Sequence, residues 1–205
     1  MRLYVYILLL LTVNGSVCAQ ANDTVAVIWG QEIEENRDFQ FVKIIGSTPA
    51  YFYTLRSSKK LNDGIREYYM EIFDQTTLSR IQTVNLVSAD QESIEFEKIS
   101  LWKSGIVMIY SKRDVSLGNV SMYARKLNFR GEAVGKDVKL ETIRDVVYDQ
   151  SSGKIDIISS RNHHHWLIAY PYKKSNSEKV ILKLLQFDDE FNKEWEREIK
   201  LDYLA

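Results

Sequence analysis

Apolar and polar residues alternate along most of this chain with a period of two. Clear segments are Thr24 to Ile28, Ala50 to Leu55, Arg66 to Phe73, Ile106 to Tyr110, Val120 to Leu127, Ile155 to Ile158, Trp166 to Tyr170 and Val180 to Phe187. They are rich in Val, Ile, Tyr and Phe, which suit a pleated, half-buried surface, so the pattern predicts strands. Turn residues separate them: Gly46-Ser47-Thr48-Pro49, Asn62-Asp63-Gly64, Leu117-Gly118-Asn119, Asn128-Phe129-Arg130-Gly131 and Ser151-Ser152-Gly153. No long segment favours a 3.6-residue period. Glu190 to Lys200 reads as a helix on charge pattern alone, but the repeat described next makes its second half a strand.

The repeat is carried by Trp29-Gly-Gln-Glu-Ile33, Arg80-Ile-Gln-Thr-Val84, Val134-Gly-Lys-Asp-Val138 and Trp195-Glu-Arg-Glu-Ile199, at intervals of 51, 54 and 61 residues. Leu86, Leu140 and Leu201 follow the last three at one further even position, while the first segment departs with Glu35. Even spacing places these residues on one face of a strand. Ahead of the last three stand Phe73-Asp74, Leu127-Asn128 and Phe187-Asp188, where a strand runs into a polar turn and returns as a hairpin. Two more apolar stretches precede each hairpin: Phe41 to Ile45 with Tyr51 to Leu55, Phe96 to Trp102 with Ile106 to Tyr110, and Lys154 to Ile158 with Trp166 to Tyr170. Four antiparallel strands per repeat is the signature of a propeller blade.

The fold expected is therefore all-β, an array of about three four-stranded units spanning roughly 36–88, 89–143 and 144–205. Propellers typically have about 4–8 blades, so three units point to a partial array, with an open sheet edge through which copies of the chain can associate. A single up-and-down barrel is the alternative.

Residues 1–19 form a different unit. Arg2, the apolar run Leu3 to Val13 and the small residues of Val17-Cys18-Ala19 follow the plan of a secretory signal peptide, cleaved near Ala19. That run is too short for a spanning helix, which needs about 20 apolar residues. A soluble product in the periplasm or outside the cell is expected, with no stable membrane anchor. Val17 before Cys18 argues against lipidation.

The signal ending in Ala-Gln and the stretch from Phe187-Asp188 to Trp195-Glu-Arg-Glu-Ile-Lys-Leu201 resemble exported propeller-like proteins of Bacteroidota. Trp29 to Ile33 carries the same likeness, and Arg80 and Val134 replace the tryptophan in the middle units. The resemblance implies a fold and a compartment, not an activity.

Composition narrows the function further. The 205 residues carry 27 basic and 28 acidic side chains, giving a net charge of −1 that leaves no electrostatic footprint for nucleic acid. At 45% hydrophobic and 12% aromatic the chain is too apolar for disorder. A single cysteine excludes an internal disulfide and a cysteine-based zinc site. Candidate chemistry is sparse. His163 and His165 of the His163-His164-His165 run would share one face of a strand and are the only weak candidates for metal ligation; Asp149 and Asp156 lack a diagnostic spacing to them, and a polar hairpin turn accounts for the run more simply. Ser57-x-x-Lys60 and Ser100-x-x-Lys103 lack their companion motifs, and no Gly-x-Ser-x-Gly elbow occurs. Gly131-x-x-x-Gly135 lacks the lysine of a phosphate loop. Asn22-Asp-Thr24 and Asn119-Val-Ser121 match the glycosylation sequon, which matters only in a eukaryotic secretory pathway. Tyr51, Phe52, Tyr53, Tyr68, Tyr69, Tyr170 and Tyr172 read as cross-strand packing or, where exposed, as a shelf for a sugar or peptide. The function expected is a non-enzymatic exported module that binds a protein or glycan or serves as scaffold, without a cofactor. The alternative is a secreted hydrolase of glycans or peptides, its site built from loops between repeats.

Overall fold

A computed structural model describes residues 38–59, 66–87, 94–114, 116–144, 155–162, 164–173 and 179–204. The signal segment 1–19, the leading segments Thr24 to Ile28 and Trp29 to Ile33, and the turns at 62–64 and 151–153 lie outside them.

The described residues form twelve strands in three antiparallel sheets. The first contains β1 (Phe39–Ser47), β2 (Tyr51–Ser58), β3 (Tyr68–Asp74) and β4 (Arg80–Val87). The second contains β5 (Ile94–Trp102), β6 (Gly105–Asp114), β7 (Asn119–Leu127) and β8 (Val138–Ile143). The third contains β9 (Asp156–Ser159), β10 (His165–Lys173), β11 (Lys179–Asp188) and β12 (Lys193–Leu204). Each sheet is a plain meander, every strand pairing with its neighbours in sequence. The stretch weighed as a helix on its charges is thus β12. No barrel forms among the described residues: the chain starts a new sheet after every fourth strand, and the sheets bury apolar faces against one another.

The register explains the repeat. Phe52, Ile106 and Trp166 pair with Phe73, Leu127 and Phe187, the apolar residues just before Asp74, Asn128 and Asp188. Each of these three polar residues closes a turn on its own backbone: Asp74 Oδ1 accepts from Thr76 N and Thr77 N, Asn128 Oδ1 from Arg130 N and Glu132 N, and Asp188 Oδ1 from Glu190 N and Asn192 N, all within 2.7 to 3.0 Å. Left-handed residues complete the turns, Leu78 (φ 56°), Gly131 (φ 79°) and Phe191 (φ 68°). At Gly131 a β-carbon would meet Val84 Cγ2 at 2.5 Å, so glycine is required there by space as well as by φ. Asn128→Ala should cost about 1 kcal/mol in urea unfolding, with Asn128→Asp close to wild type; equal losses for both would show that the turn does not depend on the side-chain oxygen.

One expectation needs correction. The third repeat segment does not begin a strand at Val134, which is 54% exposed. Val134 N donates to Lys126 O at 2.8 Å and Ala133 bridges Leu127, so the chain runs beside β7 through a tight turn and β8 starts only at Val138.

Two cores join the three sheets. Tyr53, Leu55, Met70, Ile72 and Leu86 of the first meet Ile99, Ile106, Met108, Tyr110 and Leu127 of the second. Val107, Ile109, Val120, Met122 and Leu140 of the second meet Ile157, Trp166, Ile168, Leu185 and Phe187 of the third. The second sheet is covered on both faces, and Gly105 to Ser111 of β6 are all buried. A run buried on both sides reads as continuously apolar, as Gly105-Ile-Val-Met-Ile-Tyr110 does.

Lysines tie the first strands of successive sheets together. Lys43 Nζ donates to Ile99 O at 3.1 Å, and Lys98 Nζ donates to Ile157 O. Both lysines follow a bulge at Phe41-Val42 or Phe96-Glu97, which turns each side chain toward the next sheet. Burial holds both amines below their ordinary pKa, and Lys98 adds to the shift of Lys43. Asp156 stands at the matching register of the third sheet, opposite Ala169 as Lys43 is opposite Leu55 and Lys98 opposite Ile109.

Candidate functional site

The residues singled out as chemistry do not converge. His163 lies outside the described residues. His164 Nδ1 is 3.5 Å from Asp189 Oδ2, and His165 Nδ1 is 3.0 Å from Glu194 Oε2. Glu194 Oε2 also accepts from Gln186 Nε2 at 2.6 Å, so two neighbours already occupy it. Among the described residues no three His, Cys, Asp or Glu side chains group to hold a metal ion. Ser57 is buried on β2, and its Oγ accepts from Gln40 Nε2 at 3.5 Å; Lys60 lies outside the described residues. Ser100 is half-buried on β5, and Lys103 is exposed in the β5–β6 turn. Among the described residues no helix is long and apolar enough to cross a membrane.

The tyrosines are mostly packing groups. Tyr53 is fully buried and donates to Phe129 O at 3.2 Å. Phe52 stacks on Phe73 at 4.5 Å, and Tyr68 on Phe96 at 4.3 Å. Tyr69 meets Phe39 edge-on at 4.9 Å, and Tyr170 leans on Tyr172 at 6.0 Å.

A cavity of about 900 Å³ lies where β6 and β8 end and β7 begins. Four cationic side chains line it, Lys112, Arg113, Lys139 and Arg144, with the hydroxyl and amide groups of Ser116, Asn119, Ser121 and Thr142 between them. Strand register assembles this set: Lys112 sits opposite Ser121, Ser121 opposite Thr142, and Tyr123 opposite Lys139. Among the described residues no carboxylate lies within ion-pair distance of Lys112, Lys139 or Arg144.

The one carboxylate that lines the cavity among the described residues is committed elsewhere. Asp114 Oδ1 accepts from Ser116 N at 3.0 Å, Ser116 Oγ at 2.6 Å and Leu117 N at 3.1 Å. These bonds, Ser116's hydroxyl first, hold its pKa below the ordinary carboxylate value. It stays ionised and faces its own turn.

A ladder of groups running inward to the buried Tyr110 supports the cavity wall. Lys112 Nζ lies 5.5 Å from the Tyr123 ring centre and 5.7 Å from that of Tyr110, within cation–π range. The two rings stack at 5.4 Å. Tyr110 donates to Asp137 Oδ2 at 2.5 Å, and Arg125 grips the same carboxylate through Nε at 2.9 Å and Nη2 at 2.8 Å. Arg125 holds the Asp137 carboxyl below its usual pKa, while burial, and then Asp137, pushes the Tyr110 phenol up. Tyr110 therefore remains a neutral donor, and the stacked rings hold the Lys112 ammonium at the cavity. Sequence reasoning missed this site because Lys112, Lys139 and Arg144 are scattered along the chain. The only local signal is Lys112-Arg113 closing an apolar strand.

No family model, curated protein or solved structure matches the chain.

Proposed function

We propose that this protein is a non-enzymatic, exported β-repeat module that binds an acidic saccharide in the basic cavity of the second sheet. The carrying observation is the lining itself: among the described residues, four cations interleaved with hydroxyl and amide groups, and one carboxylate turned to its own backbone. Cations would neutralise uronate carboxylates, and the neutral groups would meet sugar hydroxyls with charge-assisted and ordinary hydrogen bonds. The hydrolase alternative draws less support, because glycoside cleavage ordinarily uses two carboxylates flanking the bond, whereas among the described residues Asp114 is the one carboxylate lining this cavity. Export rests on Arg2, Leu3 to Val13 and Val17 to Ala19, and the Bacteroidota-like propeller family remains the natural setting for such a module.

Titration calorimetry with an oligogalacturonate and a neutral oligosaccharide of equal length tests the reading. The acidic ligand should bind, weakening as salt is raised. Replacing Lys112, Lys139 and Arg144 together by Ala should lower affinity at least tenfold, since each hydrogen bond from a charged group contributes about 1.5–3 kcal/mol. Equal binding of the neutral sugar, no response to the triple change, or release of shorter products would overturn it.

A further inference from the structure

Among the described residues the third sheet buries one face against the second, and its other face meets no further sheet. Trp166, Ile168, Leu185 and Phe187 point inward. The alternate positions Leu167, Ala169, Leu182 and Leu184 point outward and are half-buried, joined by Ile158 at 56%, Trp195 at 41% and Ile199 at 37% exposure and by two exposed charges of opposite sign, Asp156 beside Ala169 and Arg197 beside Leu184. In register these outward positions match residues that the other sheets bury. Leu167 and Ala169 stand where Tyr53 and Leu55, and then Val107 and Ile109, face the following sheet; Leu182 and Leu184 stand where Met122 and Ala124 do.

Three observations identify the occupant. First, Asp156 replaces the lysine that in the other two sheets reaches a carbonyl of the next first strand, so the tie that continues the array stops here. Second, the outward face of the first sheet is already buried, with Phe73 2% exposed and stacked on Phe52, and it holds a closed charge cluster. There Glu71, 4% exposed, accepts from Thr54 Oγ1 at 3.2 Å and Arg80 Nη1 at 2.8 Å, and pairs with Arg56 Nε at 3.4 Å. Seating the apolar face on that cluster would cover charges with groups that cannot bond them. Third, the outer edge is defended: β12 exposes Glu194, Glu196, Arg197, Glu198 and Lys200, and such charges discourage edge pairing. An apolar face that suits neither the far end nor an edge suits itself.

We infer that the outward face of the third sheet is the interface of a two-fold dimer, packed against the same face of a second copy. Self-association of the array is thereby assigned to a face rather than to the open edge. Four strands about 4.8 Å apart, from the short β9 (Asp156–Ser159) to the long β12 (Lys193–Leu204), outline about 550 Å² per copy, about 1,100 Å² in all. This clears the roughly 1,000 Å² expected of a specific interface, and two-fold pairing is the commonest closed symmetry.

Sedimentation velocity on the full chain at about 50 μM, where a micromolar interface is filled, should give a dimer. Trp195→Glu with Ile199→Glu should give a monomer with an unchanged circular dichroism spectrum, since both positions are exposed. In a Cys18→Ser background, Leu184→Cys should form a disulfide-linked dimer on mild oxidation, because Leu184 lies on an inner strand near the middle of the face, where a two-fold axis through that middle brings equivalent positions together. A wild-type monomer, a dimer that survives the double glutamate change, or open higher oligomers without the Leu184→Cys cross-link would each overturn the inference.

Discussion

Trp166→Ala should lower the unfolding free energy by about 3–5 kcal/mol, the usual range for a large aromatic removed from a packed core. Trp166 is 1% exposed and sits on β10 at the junction of the second and third sheets. Its ring stacks on Trp102 at 4.6 Å and an interplanar angle of 9°, and Phe191 closes the group at 6.3 Å. Truncation leaves a void between two rigid sheets that cannot collapse without breaking their registers. The indole N–H of Trp166 meets no acceptor among the described residues, so the side chain contributes area and stacking rather than a hydrogen bond. Trp166→Phe should accordingly retain most of the stability. Urea unfolding followed by circular dichroism measures both; a loss under about 1.5 kcal/mol for the alanine would mean the two sheets hold together without this contact.

Glu97→Gln should stabilise the protein at pH 8 and leave it nearly unchanged at pH 4.5. Glu97 sits at the β5 bulge, where burial, assisted by the charge of Glu95, pushes its carboxyl up to about 7 against the opposing bond from Ser111 Oγ at 2.7 Å. The sign follows from proton counting. The folded state holds this proton more tightly than the unfolded state, so stability falls as pH rises from the unfolded pKa through the folded one and then levels off. Over pH 4.5 to 7 the loss approaches about 3 kcal/mol, and glutamine removes it. Chemical denaturation of both proteins across pH 4.5 to 8 tests this through the difference between the two curves. A constant difference would mean that Glu97 ionises normally in the folded protein.

Most of the fold was legible because both of its periodicities are local. Alternation marks the strands, and Phe73-Asp74, Leu127-Asn128 and Phe187-Asp188 mark where each third strand must turn, since a polar side chain there bonds the turn backbone. Val134 misled because its similarity to Arg80 and Trp195 lies in spacing, while the turn around Gly131 carries the chain further before β8 begins. The related pieces Phe41-Val-Lys-Ile44 and Phe96-Glu-Lys-Ile99 were visible in the sequence, but their meaning needed the next sheet's carbonyl. The basic cavity was hidden for a similar reason. Its cations are neighbours only through strand pairing, and apart from Lys112-Arg113 closing an apolar strand nothing local distinguishes them from ordinary solvated lysines and arginines. The histidine run drew the eye by its repetition, yet His164 and His165 each sit beside a different acid on the third sheet.

Among the described residues every sheet is completed by strands adjacent in sequence, and its faces meet only the sheets before and after it. Heredity can therefore handle such a chain in whole paragraphs rather than single words. A duplicated or deleted stretch of one meander adds or removes a layer without asking distant residues to change. The middle layer is the exception, since a substitution there must satisfy two neighbours at once, and Gly105 to Ser111 of β6 is where ancestry should be slowest to fade.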